Sequence, residues 1–370
     1  MTAALTLSYY IAKQFVGSVI AMLLALSGLV SLFDFIELLR RSASKPDATF
    51  ALVGEIASLR LPYMGMQILP FAVLLGGILC FWRLTRSSEL IVARAAGVSA
   101  WEFLTAPTLC AMVLGAIATC VVSPVSSVML ARAETLDNIY LRTGGGPLDL
   151  AGGQLWLRQS DHALVPQGVA IIHAQAVELH GKRMTAKQVS VFRLDGHDKL
   201  LDRIEASDAT LGAGAWQLVN ARTIRPDQLP DPPESIKLPT DLTVARVQES
   251  FASPDTLSFW ALPGFIDLLD QSGFSSIRHR LHFQALLALP LLCATMALVS
   301  AGFSMRPARR GGVAQMIGCG VAAGFVLFVV SKMAEEFGQS GALPVVLAAW
   351  APAASGLMLS IALLLHTEDG

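Results

Sequence analysis

Charge is scarce in this chain and missing from long parts of it. Charged residues make up 15% of its 370 residues, against roughly 25% in an average soluble domain. They are absent from six stretches, residues 15–33, 61–82, 103–131, 283–305, 311–331 and 338–365. Each is close to or longer than the ~20 residues a helix needs to cross a ~30 Å hydrocarbon core. A water-soluble globular fold is thereby excluded. Cysteine is missing from the intervening block 132–282, since Cys80, Cys110, Cys120, Cys293 and Cys319 all lie in the apolar stretches. That excludes a disulfide framework or a cysteine zinc site in the block. No H-E-x-x-H, G-x-S-x-G or G-x-x-x-x-G-K-[ST] occurs, so no metalloprotease, hydrolase-elbow or P-loop chemistry is supplied by this chain.

The charges that remain are concentrated. Block 132–282 holds 15 of the 27 Lys and Arg and 18 of the 28 Asp and Glu, and the net charge of the chain is −1. A basic face for nucleic acid is therefore not expected. Three spans before the block and three after it give a polytopic membrane protein of α+β class, with residues 1–131 and 279–370 in the membrane and 132–278 outside it. The first stretch exceeds the ~7–15 residues of a signal-peptide core and is read as a retained span.

Orientation follows from loop charge. Residues 83–102 carry Arg83, Arg86 and Arg94, and residues 306–312 carry Arg306, Arg309 and Arg310, opposed only by Glu89 and Glu102. Lys/Arg bias places these loops and both termini in the cytoplasm, and the soluble block on the outside. Arg40, Arg41 and Lys45 break the bias just beyond the first span. Asp34, Glu37, Arg40 and Arg41 have helical spacing, so two readings stand: a self-neutralising ion ladder, or an anion-binding patch in which Arg forks grip phosphate or carboxylate oxygens.

Within the block, strand-like runs at 154–158, 169–179, 184–194, 204–211, 216–224 and 242–247 are separated by turn signals such as Asp195-Gly196. Short alternating strands at this spacing predict an all-β sandwich or jelly roll. Residues 226–239 contain five prolines and are expected to be a loop or crossing segment. His162, His173, His180 and His197 have no ligand spacing, and His279 and His282 read as interfacial residues, so no metal site is expected.

In the loop after the second stretch, Ser87 or Ser88 is expected to cap a short helix over about 86–98 with Glu89 in its first turn. Such a helix is either a connector or a docking element for a soluble partner. Its residues Ser88-Glu89-Leu90-Ile91-Val92-Ala93-Arg94-Ala95-Ala96-Gly97 resemble the S-E-L-x-x-x-x-A-x-G signature of the LptF/LptG family, permease subunits of the lipopolysaccharide exporter. The similarity runs along nearly the whole chain, through Tyr10-Ile11-Ala12-Lys13, Phe71-Ala72-Val73-Leu74-Leu75-Gly76, Val122-Ser123-Pro124, Trp216-Gln217-Leu218, Leu343-Pro344 and Trp350-Ala351-Pro352. The start and the C-terminal half are closer to the LptG branch.

The resemblance implies six spans (3+3) with an inserted periplasmic jelly roll, paired with an LptF-type permease around a lateral cavity in the inner membrane. It implies an LptB-type ATPase dimer docking on the loop, an LptC-type single-span protein and an LptA-type bridge, with lipopolysaccharide as cargo. ATP and Mg²⁺ would be bound by the ATPase, with no cofactor or catalytic residue in this chain. Glu89, Leu90, Arg94 and Gly97 would carry ATPase coupling. Arg40, Arg41, Arg132 and, more loosely, Lys332 would contact lipopolysaccharide phosphates. Two rivals from the same layout are a permease of another lipid or lipoprotein exporter and a membrane-embedded lipid-modifying enzyme, for which Glu335-Glu336 beside Lys332 is the nearest group. A secondary transporter would want an internal repeat and a midplane acid, and neither is seen.

Overall fold

The structure is a computed structural model and describes residues 2–43, 45, 48–89, 99–141, 155–160, 168–180, 183–195, 199–212, 214–225, 228–240, 253–271, 275–304 and 313–368. Its helices are α1 (Thr2–Ser42), α2 (Phe50–Arg86), α3 (Ala100–Ile117), α4 (Ser123–Leu136), α5 (Leu262–Gln271), α6 (Ile277–Ser304), α7 (Val313–Gln339) and α8 (Val345–Glu368). A π-helical stretch, Ala118–Val122, joins α3 to α4, and a second, Asp137–Leu141, follows α4. Among the described residues six helices are long and apolar enough to cross a membrane, with α3 and α4 forming one of them. Two compact units result: the helical unit (Met1–Leu136, Pro254–Pro263, Ile277–Gly370) and a β unit (Asp137–Ser253, Gly264–Ser276).

The helices outrun the apolar stretches that predict them. Charged flanks continue the helical path where their side chains pair along one face, as at the end of α1. Caps mark where other helices start. Thr49 Oγ1 accepts from the Leu52 N–H at the start of α2, and Ser99 with Glu102 forms a capping box at the start of α3, which satisfies otherwise orphaned N–H groups. Residues 34–60, expected as an outside connection, are thus mostly the ends of α1 and α2.

Helices α2 and α6 form the middle of the helical unit, with 56% and 67% of their apolar windows buried against 11% for α1 and α7. Hydrocarbon offers no hydrophobic drive for helices to meet, so close contact between small residues and interhelical hydrogen bonds must hold them. A Cβ on Gly76 would lie 2.6 Å from Val19 Cα in α1, and one on Gly77 would lie 2.2 Å from Ser300 Oγ in α6. Around this pair pack Phe15, Val19, Val73, Phe81 and Met296.

Prolines inside the spans release carbonyls that must be satisfied within the protein. Pro290 in α6 has no N–H for the Leu286 carbonyl, and the Thr119 hydroxyl donates to it at 2.8 Å. Pro124 likewise has none for the Cys120 carbonyl, to which the Trp260 indole N–H donates at 3.1 Å. One residue earlier, the Phe259 N–H donates to Ser123 Oγ at 3.2 Å. The segment returning towards α6 is therefore pinned to the π-helical break by groups that break would otherwise leave open.

The β unit holds six antiparallel strands, β1 (Leu155–Ser160), β2 (Val169–His180), β3 (Arg183–Leu194), β4 (Leu200–Leu211), β5 (Ala215–Ile224) and β6 (Glu234–Pro239), in one sheet ordered as in sequence. The all-β insert is as expected, and its described strands are connected as a meander. Buried residues alternate along each strand, then the parity switches. Ala174 and Val177 in β2, Ala186 and Val189 in β3, Ala206 and Ala209 in β4, and Leu218 and Ala221 in β5 are each separated by two residues outside the core. Ladder pairing is interrupted at these points, and Gln188 and Asn220 there adopt positive φ. Such irregularities bend strands, and here they lie side by side across four of them. Both halves of the bent sheet contribute to one core around Trp216, Ile172, Val191 and Ile204.

Two expectations about strands change. The proline-rich segment ends in β6, which pairs with β5 from Ala215↔Pro239 to Ala221↔Glu234. Its prolines precede the strand or end it, on a sheet edge where a missing N–H is tolerated. The expected strand at 242–247 lies outside the described residues.

The contact at Gly76 yields the first test. Gly76→Leu should destabilise the detergent-solubilised chain by on the order of 3 kcal/mol through overpacking against backbone that cannot yield, read as a lowered thermal midpoint. Gly17→Ala, whose Cβ meets nothing within 4 Å, should leave the midpoint in place. Equal behaviour of the two variants would contradict the packing.

Candidate functional site

Ion pairs crowd one end of the bundle, where α4 leads out to the β unit and α6 begins. Glu37, one turn from the end of α1, accepts from Arg40 at 2.8 and 2.9 Å and lies 3.7 Å from Arg41. This is the ladder expected from the spacing, and two cations in the last turn also suit the helix dipole. Asp34 of α1 meets Arg60 of α2 at 3.2 Å, each side chain only 15% exposed. Glu55, near the start of α2, meets Arg132 of α4 at 3.1 Å. On α7, Lys332 donates to Glu335 at 2.7 Å.

All four cations proposed from sequence are therefore matched by carboxylates, but not with equal firmness. The side chains of Arg40 and Arg132 are 77% and 68% exposed. Such pairs are screened by solvent, so another anion can compete with the carboxylate. The half-buried Asp34–Arg60 pair bridges two helices and is harder to exchange.

Beside these pairs a cavity of about 320 Å³ opens among α2, α4, α6, α7 and the 3₁₀ turn Pro254–Thr256. Its depth is apolar, lined by Met66, Leu289, Leu292 and Phe328, and its mouth is polar and charged. There His282 Nδ1 lies 3.3 Å from Asp255, Gln67 donates to the Tyr63 hydroxyl at 2.5 Å, and Tyr63 itself faces Asp255. Lys332, Glu335, Glu336 and Arg278 complete the mouth. Of the sequence-predicted cations, Lys332 alone lines this cavity; Arg40, Arg41 and Arg132 lie outside its lining. Among the described residues no group of His, Cys, Asp and Glu is placed to hold a metal ion.

The opposite end of the bundle carries the loop. Ser87 caps the C-terminus of α2, its N–H donating to the Arg83 carbonyl at 3.0 Å, and Ser88 turns the chain with φ 59°. Ser87 thus finishes α2, and Ser88 separates it from Glu89, which is helical. Nearby the Thr85 hydroxyl donates to the Ser304 carbonyl at 3.3 Å, tying the ends of α2 and α6. Glu89 follows and is exposed, whereas Leu90, Arg94 and Gly97 lie outside the described residues.

Sequence reading missed Arg60, Tyr63, Asp255 and the pairing of His282. Arg60 carried a signal, being a lone cation at the edge of an uncharged stretch. The Asp255–His282 approach spans a long connection, and no local spacing announces it.

The sequence model of the family "Lipopolysaccharide export system permease LptF/LptG" matches residues 9–366. The chain is 24% identical over 372 residues to the lipopolysaccharide export system permease protein LptG of Escherichia coli K12, covering 97% of this chain and 98% of that protein. It is 23% identical over 352 residues to the protein of the same name from Haemophilus influenzae, covering 94% of each.

The Asp34–Arg60 pair supplies a test independent of function. Arg60→Ala should cost roughly 2 kcal/mol, between the values for exposed and buried pairs, and Asp34→Ala should add little on top of it. Additive losses in a double-mutant cycle of thermal stability would show that the two do not interact.

Proposed function

Because the chain belongs to the LptF/LptG family of lipopolysaccharide export system permeases, we propose how its two ends divide the work of that export. It is a multi-pass inner-membrane protein of LptG-like sequence. In the proposed arrangement both termini and the loop after α2 are cytoplasmic, and the β unit is periplasmic and hands lipopolysaccharide towards an LptA-type bridge. An LptF-type homologue and an LptC-type single-span chain complete the membrane complex. The weakly buried faces of α1 and α7 leave apolar area for lipid and for such a homologue.

The observation that carries the proposal is the set of exchangeable ion pairs at the outer end. Lipopolysaccharide presents several phosphates above acyl chains. A phosphate approaching Arg40, Arg41 or Arg132 replaces Glu37 or Glu55 with an anion of higher charge that also matches the guanidinium fork. The carboxylates keep these cations neutralised and oriented between cargoes. Lys332 is held by Glu335 at 2.7 Å.

Energy has to come in trans, since the chain has no P-loop motif. An LptB-type ATPase, holding ATP and Mg²⁺, is proposed to dock on residues 86–98, with Glu89 pairing to a cation of the ATPase and Leu90, Arg94 and Gly97 shaping the docking helix. Nucleotide-driven movement would then pass into α2, which ends two residues before Glu89 is reached by way of Ser87 and Ser88.

Two experiments test the two ends separately. Arg40→Glu with Arg41→Glu should lower photocrosslinking of lipopolysaccharide to α1 by about tenfold, the equivalent of one charge-assisted contact; undiminished crosslinking leaves these arginines with a structural role only. Glu89→Lys should abolish co-purification of the ATPase while the membrane fold is retained, and a charge-reversed ATPase partner should restore it. Normal co-purification by Glu89→Lys would remove that residue from the coupling.

A further inference from the structure

The charged mouth of the intrachain cavity does not resemble a site for a polyanion. It carries carboxylates at Asp255, Glu335 and Glu336 beside cations at Arg278 and Lys332, and a polyphosphorylated headgroup would meet all three acids. The internal pairing narrows the possibilities. Lys332 is held by Glu335 at 2.7 Å, and Asp255 is engaged by His282 and faces Tyr63. Arg278 and Glu336 have no ion pair among the described residues, and both are exposed at the mouth. The cavity is thus left with one available charge of each sign above an apolar depth formed by residues such as Leu289, Leu292 and Phe328.

We infer that this cavity binds a zwitterionic phospholipid carrying a primary ammonium, its phosphate on Arg278 and its ammonium on Glu336. The volume of about 320 Å³ is at the small end of ligand pockets. It accommodates a headgroup and the beginning of one chain while the rest of the lipid stays in the bilayer. Arg supplies a fork for phosphate oxygens, and Glu336 accepts from the ammonium, which a headgroup ending in glycerol cannot offer. Tyr63 and Gln67, already hydrogen bonded to each other at 2.5 Å, form a polar wall at the level where headgroup meets chain. Because this lipid sits between α2, α6 and α7, it wedges the three helices from the same end that carries the exchangeable arginines. Its site is separate from them.

The test uses the full chain with the subunits that accompany it, purified in mild detergent. It is exposed to phosphatidylethanolamine or phosphatidylglycerol bearing the same photoactivatable chain, and labelled peptides of residues 281–292 are quantified. The ethanolamine lipid should label this segment at least fivefold more than the glycerol lipid. Arg278→Ala and Glu336→Ala should each lower that labelling about fivefold, the scale of one exposed charge contact. Ala285→Trp, which fills the cavity while leaving its charges, should do the same. Labelling in the Arg40→Glu, Arg41→Glu double variant should be unchanged, so that loss of the cargo contact and loss of this site are read apart. Equal labelling by the two lipids, or insensitivity to all three cavity variants, overturns the inference. So does displacement of the label by lipopolysaccharide, which would make the cavity part of the cargo path.

Discussion

The arrangement of the membrane unit rests on the absence of side chains at Gly76 and Gly77. Helix α2 meets α1 through one glycine and α6 through the next, at separations that leave no room for a Cβ. In lipid, where apolar side chains gain little by leaving one apolar medium for another, such close approach is a main source of helix association. Packing fixed at this level sets the relative positions of both ends of α2. At about 1.5 Å per residue its 37 residues span about 55 Å, more than the hydrocarbon core. One end presents Glu55, Arg60 and Tyr63 to the ion pairs and the cavity, and the other leads through Ser87 and Ser88 to Glu89. A displacement applied at the loop reaches the residues of the far end through one continuous element, provided that the glycine contact holds.

Irregular backbone in this unit is placed where something else completes it. The π-helical break before Pro124 and the proline of α6 both free a carbonyl, and Trp260 and Thr119 each donate to one. These contacts differ in kind from the glycine packing. A hydroxyl or indole can change partners without creating a void, whereas a glycine contact can only be kept or lost. Movement within the bundle is therefore more easily accommodated around α3, α4 and the outer half of α6 than at the α1–α2–α6 junction. The cavity lies at that more adaptable end, with residues from α4, α6 and the Pro254–Thr256 turn in its lining.

The spans were legible because exclusion of charge from hydrocarbon is severe and leaves gaps of the right length. Their true ends were less so, since helices continue beyond the membrane wherever flanking charges pair, as Glu37 does with Arg40. Strands β2 to β5 were legible from alternation even though the alternation switches parity in mid-strand, because each half keeps its own period of two. The strand β6 was hidden by prolines at 230, 232, 233 and 239, which bound it without interrupting it. At the site, Arg40 and Arg41 stood out as cations where the topology rule disfavours them, and Arg132 was marked by the family resemblance. Glu37 follows from spacing along α1, whereas Glu55 follows only once the neighbouring helices are known. The Asp255–His282 contact depends on tertiary structure throughout.

The ion ladder of Glu37, Arg40 and Arg41 is compatible with the proposed phosphate patch. Unscreened cations near an apolar phase are costly, and they are tolerated where a carboxylate is near. A carboxylate on the same exposed helix face lowers that cost while holding the guanidinium only weakly, so the resting pair is also a displaceable one. The same reasoning separates the two anion-facing surfaces at this end of the bundle. Around Arg40 and Arg132 the pairs with Glu37 and Glu55 are exposed, so a strongly anionic ligand can compete with those carboxylates. At the cavity mouth Asp255, Glu335 and Glu336 equal or exceed the cations, so a strongly anionic ligand worsens the balance and a zwitterion suits it. In this proposal, selectivity between cargo and bilayer lipid follows from the carboxylates beside each cation rather than from the cations themselves.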